Sequence, residues 1–181
     1  MSNCLNEKVY IIGTRHSCQI PGPGNDCQTS FKNLIENSCD RYHIRGIGEE
    51  MSLEALQGYP NVKMTICQIT AEKLNILHRY CDPDSCQRET LGITSEQEVS
   101  LDGFFNNRSP QSIETRRSTE FEIREKYRQD RLLDMNTWPV LFVCGANHVE
   151  SFAKILDDQT IAYEIIVRDW PDQLSEANLS L

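Results

Sequence analysis

The chain has 181 residues and a mass of 20.8 kDa, which favours one domain with a substantial core. Apolar residues make up 39% and charged residues 25%, a composition typical of globular rather than disordered proteins. A formal net charge of −9 argues against a nucleic-acid-binding surface. No apolar run approaches the roughly 20 residues of a membrane-spanning helix. Because residues 1–8 also lack an apolar signal segment, we expect a cytoplasmic protein without a membrane partner.

The strands are predicted from short apolar runs that end at glycine or at polar turns. Five such strands are predicted, at residues 9–12, 42–48, 77–81, 140–144 and 161–167. Helical spacing or helix-forming composition marks the segments between them, at residues 31–38, 52–57, 68–76, 111–135 and 147–156. Strands alternating with helices predict an α/β fold with a mainly parallel central sheet flanked by helices, and a site at the carboxyl ends of the strands.

Domain organisation is predicted to be simple. Residues 1–168 form a single α/β domain, interrupted by an excursion over about 85–135. Residues 85–110 of this excursion are polar and are expected to be irregular, whereas 111–135 contain neither Gly nor Pro and form the longest helix. Thr70 is expected to cap the helix over 68–76. The acidic segment 169–181 is predicted to be a tail.

Eight cysteines are scattered along the chain, and none forms a Cys-x-x-Cys pair. Because we expect a cytoplasmic protein, we also expect these thiols to be reduced. Cys18 and Cys144 lie close in sequence to histidines, but His-x-Cys and Cys-x-x-x-His are not spacings typical of zinc sites.

A strand followed by Gly-x-x-His occurs twice, as Gly13-Thr14-Arg15-His16 and as Gly145-Ala146-Asn147-His148. Glycine permits a sharp turn at the end of a strand, and open α/β sheets bind ligands just outside the carboxyl ends of their strands. A single copy would suit a histidine that merely caps the next element. Two copies favour a shared site.

Carboxylates follow two other predicted strands. Glu49 and Glu50 come directly after the second strand, where they could be the N-terminal acids of the next helix. Together with His16 and His148 they complete a set suited to a divalent metal ion such as Mn, Co, Zn or Fe, or to general acid/base catalysis. Asp82 could add a carboxylate, although an Asp-Pro-Asp segment is more often simply a turn.

The longest helix carries arginines on one face. At about 100° per residue, four of them fall within about 60° of one another. They are Arg117, Arg124, Arg128 and Arg131. Such arginines either extend over the edge of the core or point at something anionic, and a salt-bridged surface helix remains an alternative.

The motifs, taken in this order, resemble those of the superfamily that contains TraB and GumN, Tiki proteases, erythromycin esterase and the haem-binding ChaN proteins. The resemblance depends on Gly13-Thr14-Arg15-His16, Gly48-Glu49-Glu50-Met51, Arg124 and Gly145-Ala146-Asn147-His148, and spans residues 8 to about 167. The segments 81–84, 124–127 and 141–148 look like those of a small bacterial branch of TraB-like proteins.

The resemblance implies a metal-dependent hydrolase that acts on a peptide or ester bond of a peptide or small-molecule substrate. His16, His148 and Glu50, preferred over Glu49, would hold the metal or move the proton. Arg124 and Arg128 would stabilise developing negative charge. Further pocket candidates are Gly13, Gly145, Asn147 and Asp82. The competing expectations are a non-catalytic protein that binds haem, a metal ion or a small anionic ligand in the same pocket, and a partner-dependent subunit with a vestigial pocket.

Overall fold

A computed structural model of the protein describes residues 7–22, 26–94, 96–106 and 108–171. Its strands are β1 (Lys8–Thr14), β2 (Gly46–Glu49), β3 (Leu77–Tyr80), β4 (Val140–Gly145) and β5 (Ala162–Trp170). They form one sheet in the order β3-β2-β4-β1-β5, and every described pairing is parallel. The predicted α/β fold with a five-stranded parallel sheet is therefore confirmed.

Helices connect the strands and cover the sheet. Within the described ranges they are α1 (His16–Gln19), α2 (Asp26–Tyr42), α3 (Leu53–Gln57), α4 (Ile66–Leu74), α5 (Ser85–Leu91), α6 (Glu96–Phe105), α7 (Pro110–Leu133) and α8 (Val149–Asp158). A 3₁₀ turn, Ala146–His148, lies between β4 and α8. None of the helices in the described part of the chain combines the length and the apolar character needed to cross a bilayer.

The sheet is buried on both faces. One core cluster, which includes Ile12, Leu141 and Val143, packs with residues of α2 and α4. The other includes Phe142 and packs with residues of α7 and α8. Because parallel strands covered on both sides are apolar throughout, their sequence pattern does not show which face a given side chain takes.

The predicted starts of β2 and α4 were wrong, as was the range 31–38 for α2, which spans Asp26–Tyr42. The second strand begins at Gly46 rather than at Tyr42, because Tyr42 ends α2, where its ring stacks on Tyr10 with 4.2 Å between ring centroids. Helix α4 begins earlier than predicted, with Thr65 rather than Thr70 as its cap. The Thr65 hydroxyl accepts a hydrogen bond from the backbone N–H of Gln68 at 3.1 Å.

The excursion is more regular than predicted, because α5 and α6 occupy much of the segment expected to be irregular. A capping box begins α5: Asp84 accepts from the backbone N–H of Gln87, and the Gln87 side chain accepts from the backbone N–H of Asp84. Gly92, at a φ of +70°, ends this helix. At the end of the domain, β5 runs through Trp170 rather than stopping at 167, and residues 172–181 of the predicted tail lie outside the described residues.

Cys18 and Cys27 form a disulfide, with their Cα atoms 6.0 Å apart. The expectation of reduced thiols is wrong for this pair, because α1 packs against α2 and brings the two side chains together. The other described cysteines are free: Cys39, Cys67, Cys81, Cys86 and Cys144. The cytoplasmic location stays a prediction.

Gly13, a predicted pocket residue, is required for packing. A Cβ there would lie 2.0 Å from the backbone oxygen of Arg168 and 2.5 Å from Cγ2 of Val149. Gly13→Ala is therefore expected to lower the free energy of unfolding by about 1–3 kcal/mol or more, measured by urea denaturation. Gly22→Ala is the matched control, because its Cβ would meet nothing closer than 3.5 Å. It should change stability by no more than about 0.5 kcal/mol, and an equal effect of both substitutions would contradict this assignment.

Candidate active site

The carboxyl ends of four neighbouring strands bring the candidate residues to one edge of the sheet. His16 follows β1, Glu50 follows β2, Asp82 follows β3 and His148 lies in the 3₁₀ turn after β4. Because every strand pair is parallel, all four chain segments leave the sheet at the same edge.

The two histidines face one carboxylate oxygen. Nε2 of His148 lies 3.3 Å from Oε1 of Glu50, and Nε2 of His16 lies 4.0 Å from the same atom. Gly145 lies between these groups and donates its backbone N–H to Oε2 of Glu50 at 2.8 Å. A Cβ at Gly145 would lie 3.4 Å from Oε2 of Glu50 and 3.7 Å from Nε2 of His16, which is ordinary van der Waals contact, so the site does not require glycine for space at this position.

Glu49 belongs to a different cluster from Glu50. Its fully buried side chain accepts from the Thr65 hydroxyl and lies 2.7 Å from Nε2 of His78. These contacts follow from the strand geometry, since successive side chains point to opposite faces. His78 is therefore the partner of Glu49. Of the two glutamates, Glu50 is the one that contacts the histidines of the repeated motif.

Arg128 links the carboxylates of the site and is fully buried. It donates to Oε1 of Glu50 at 2.5 Å, to Oδ1 of Asp82 at 2.9 Å and to Oε1 of Glu125 at 2.7 Å. We call these four residues the Arg128 cluster. Burial lowers the pKa of Arg128, but the three carboxylates outweigh it and raise the pKa above its ordinary value.

Asp82 receives two further arginines. Arg124 donates to both of its carboxylate oxygens, at 2.8 and 2.6 Å, and Arg88 donates to Oδ2 at 3.1 Å. Burial raises the pKa of Asp82, but the hydrogen bonds and charges of Arg124 and Arg128 more than offset it, so the pKa lies below its ordinary value. The Asp-Pro-Asp turn thus places a site carboxylate, as well as capping α5 through Asp84.

His148 is oriented from behind by Glu125. Its Nδ1 lies 2.5 Å from Oε1 of Glu125, and the ring of Phe121 stacks on the imidazole with 5.0 Å between centroids. Nη1 of Arg128 also lies 3.0 Å from the same Nδ1. The contact with Glu125 is the shorter of the two and a carboxylate oxygen is an acceptor, so we assign the ring proton to Nδ1, which leaves Nε2 facing Glu50. Glu125 was not among the residues predicted for the site. The available signal was its position three residues before Arg128, which puts both on one face of the helix.

The remaining candidates lie away from this centre. Arg117 donates to Ser100 of α6 at 3.0 Å, and the backbone oxygen of Arg131 accepts from Arg79. Asn147 is exposed. The arginine face of α7 therefore divides, with only Arg124 and Arg128 among the four contacting the site carboxylate Asp82.

The donors, as arranged, do not fit the expected divalent metal. Among the described residues, no group of three or more His, Cys, Asp or Glu side chains is placed to hold a metal ion. Oε1 of Glu50, the oxygen that both histidines face, already accepts from the buried guanidinium of Arg128. A divalent ion bound at this oxygen would lie beside that positive charge with little water to screen it. The metal and the alternative haem stay predictions.

Compared with models of protein families, with curated proteins and with solved structures, the chain has no match. The functional assignment therefore depends on the arrangement of the side chains at the sheet edge.

Proposed function

We propose that the protein is a hydrolase of ester or peptide bonds in which Glu50, His16 and His148 carry the proton transfers. The observation that carries the proposal is the approach of two imidazole Nε2 atoms, from separate strand ends, to one carboxylate oxygen held by a buried arginine. Burying three carboxylates around one arginine is a costly way to stabilise a fold. Clusters of this kind at strand ends are typical of functional sites.

His148 is suited to act as the general base. With its Nδ1 proton directed at Glu125, its Nε2 accepts a proton from water, and the water oxygen forms a bond to the substrate's carbonyl carbon. Glu125 holds the imidazole in the required orientation and stabilises its charged form, as the carboxylate does in a catalytic triad.

His16 is suited to act as the general acid. When the bond from the carbonyl carbon to the leaving oxygen or nitrogen breaks, that atom takes the bonding pair and a proton from His16. The His16 side chain is 50% exposed and so regains its proton from solvent, while His148 releases the one it accepted. Glu50, next to both rings, stabilises whichever imidazole is charged.

The two site arginines differ in role. Arg128 directs its donors at Glu50, Asp82 and Glu125, and its Nη1 also lies 3.0 Å from Nδ1 of His148, so it positions these groups rather than contacting a substrate. Arg124 has a side chain that is 32% exposed and lies at a small cavity of about 80 Å³ that Phe121 also lines. We therefore assign Arg124, rather than Arg128, to developing negative charge on the substrate.

The resemblance to TraB-like and Tiki-like proteins and to erythromycin esterase supports this proposal, because the residues that carry it include His16, Glu50, Arg124 and His148. Within that superfamily, Tiki proteases and erythromycin esterases use a similar set of histidines and a glutamate for hydrolysis, whereas ChaN proteins bind haem. Membership, a cytoplasmic location and a small-molecule or peptide substrate are parts of the proposal.

The test is turnover of generic ester and peptide substrates by protein purified without a histidine tag, before and after dialysis against a chelator. We expect turnover. We also expect chelation to leave its rate unchanged within about twofold, because the guanidinium of Arg128 already occupies Oε1 of Glu50, the oxygen at which a metal ion would bind. Loss of activity that Mn, Co, Zn or Fe restores would reinstate the metal. Ligand binding or a Soret band without turnover would favour the non-catalytic alternative.

A further inference from the structure

A cavity of about 800 Å³ lies between α7 and α8, within the size range of small-molecule sites. Its lining includes Phe121 and Glu125, the two side chains that contact His148 from behind. The cavity therefore adjoins the proposed general base on the side away from Glu50. A group bound there would belong to a part of the substrate remote from the bond that reacts.

Acidic side chains outnumber basic ones in the lining by four to three. The acidic members are Glu114, Glu122, Glu125 and Asp158, and the basic members are Arg117, Lys126 and Lys154. Two of these charges are already paired with residues outside the lining, Lys126 with Asp130 at 2.8 Å and Glu125 with Arg128 at 2.7 Å, which leaves three acids and two bases. The remaining excess of acidic over basic side chains favours a positively charged ligand.

Glu125 supplies an independent sign of a ligand. The residue is 1% exposed, and its Oε1 accepts from Arg128 and lies 2.5 Å from Nδ1 of His148. Its Oε2 is also buried, yet it has no hydrogen-bond partner among the described residues. A buried carboxylate oxygen without a donor is costly, so this oxygen favours a donor group from outside the described residues.

Apolar surface lies beside these acids. Phe121 and Ile155 line the same cavity, from α7 and α8 respectively. We propose that the cavity binds a positively charged amine or guanidinium group of the substrate, with an apolar flank packed on Phe121 and Ile155. This inference rests on the proposed hydrolase function and names the substrate class of that site as cationic and amphipathic.

The experiment compares three small probes of similar shape by titration calorimetry at low salt: phenethylamine, uncharged 2-phenylethanol and anionic phenylacetate. We expect phenethylamine to bind at least tenfold more tightly than the other two. Glu122→Gln and Asp158→Asn should each weaken its binding severalfold and leave that of 2-phenylethanol nearly unchanged. Asp157→Asn is the matched control, because Asp157 precedes Asp158 on α8 but bonds to Tyr163 and does not line the cavity.

Equal binding of phenylacetate and phenethylamine would overturn the inference, as would amine binding that Glu122→Gln and Asp158→Asn leave intact. Because binding is measured without turnover, the cavity proposal and the hydrolase proposal are tested independently of each other. Selective amine binding by a protein that hydrolyses nothing would support the cavity assignment and count against the hydrolase. Turnover without selective binding of the amine would support the hydrolase and count against the cavity assignment.

Discussion

Arg128→Ala is expected to lower the free energy of unfolding by about 3–5 kcal/mol, the usual cost of removing one partner from a buried ion pair. The substitution leaves Glu50 and Glu125 buried without their guanidinium donor, and it removes one of the three arginines on Asp82. Against a total stability of about 5–15 kcal/mol for a domain, this loss is large. Urea denaturation at neutral pH measures it.

Arg124→Ala is the matched control, one helical turn earlier on α7. It also removes hydrogen bonds to Asp82, but the Arg124 side chain is 32% exposed, and Asp82 keeps Arg88 and Arg128. We expect a loss of about 1 kcal/mol, because solvent screens a partly exposed pair. Arg128→Met keeps most of the side-chain volume and should lose nearly as much stability as Arg128→Ala. Equal losses for Arg124→Ala and Arg128→Ala would contradict a central role for Arg128.

The pH dependence of stability should also change in Arg128→Ala. In the native protein the lowered pKa of Asp82 contributes stability that is fully present above the carboxyl's ordinary value of 3.8 and is lost as pH falls through the lowered folded value. Arg128→Ala removes one of the arginines that lower the pKa of Asp82. The stability difference between native protein and variant should therefore narrow as pH falls below about 4.

The sheet and the edge that holds the site could be predicted because they depend on local patterns. Apolar runs such as 140–144 mark buried strands, and Gly13 and Gly145 mark where two of them end. The strand pattern could not decide which of Glu49 and Glu50 serves the site, although Glu50 was the preferred candidate. That choice depends on the strand face, and a strand buried on both faces has no polar alternation to reveal it.

The other features that could not be predicted from the sequence depend mainly on tertiary packing. Glu125 and His78 acquire their roles only when α7 and β3 pack beside β2, so neither could be recognised alone. The pairing of Cys18 with Cys27 depends on how α1 turns back on α2. Helices α5 and α6 escaped prediction because their polar sequences have little apolar periodicity, although the Asp84 and Gln87 capping box was a readable signal.

Glu50→Gln is expected to lower kcat/KM by about 10²–10⁴, the contribution typical of an acid/base group. The amide keeps the shape of the carboxylate and one acceptor oxygen, but it removes the negative charge beside His16 and His148. Neither imidazole then has that charge to stabilise its protonated form during the reaction. Steady-state kinetics with the ester or peptide substrate that the native protein turns over measures the loss, and thermal melts check that the variant is folded.

Glu49→Gln is the control that separates the site from its immediate neighbour in sequence. Its side chain bonds to Thr65 and His78 instead of to the site histidines, so we expect kcat/KM within about threefold of the native value. The substitution should cost about 1–3 kcal/mol of stability, because a buried charged acceptor is replaced by a weaker one. If both variants lose activity equally, or if Glu49→Gln loses more, Glu50 is not the carboxylate that serves the two histidines. The proton transfers assigned to Glu50, His16 and His148 would then have to be abandoned.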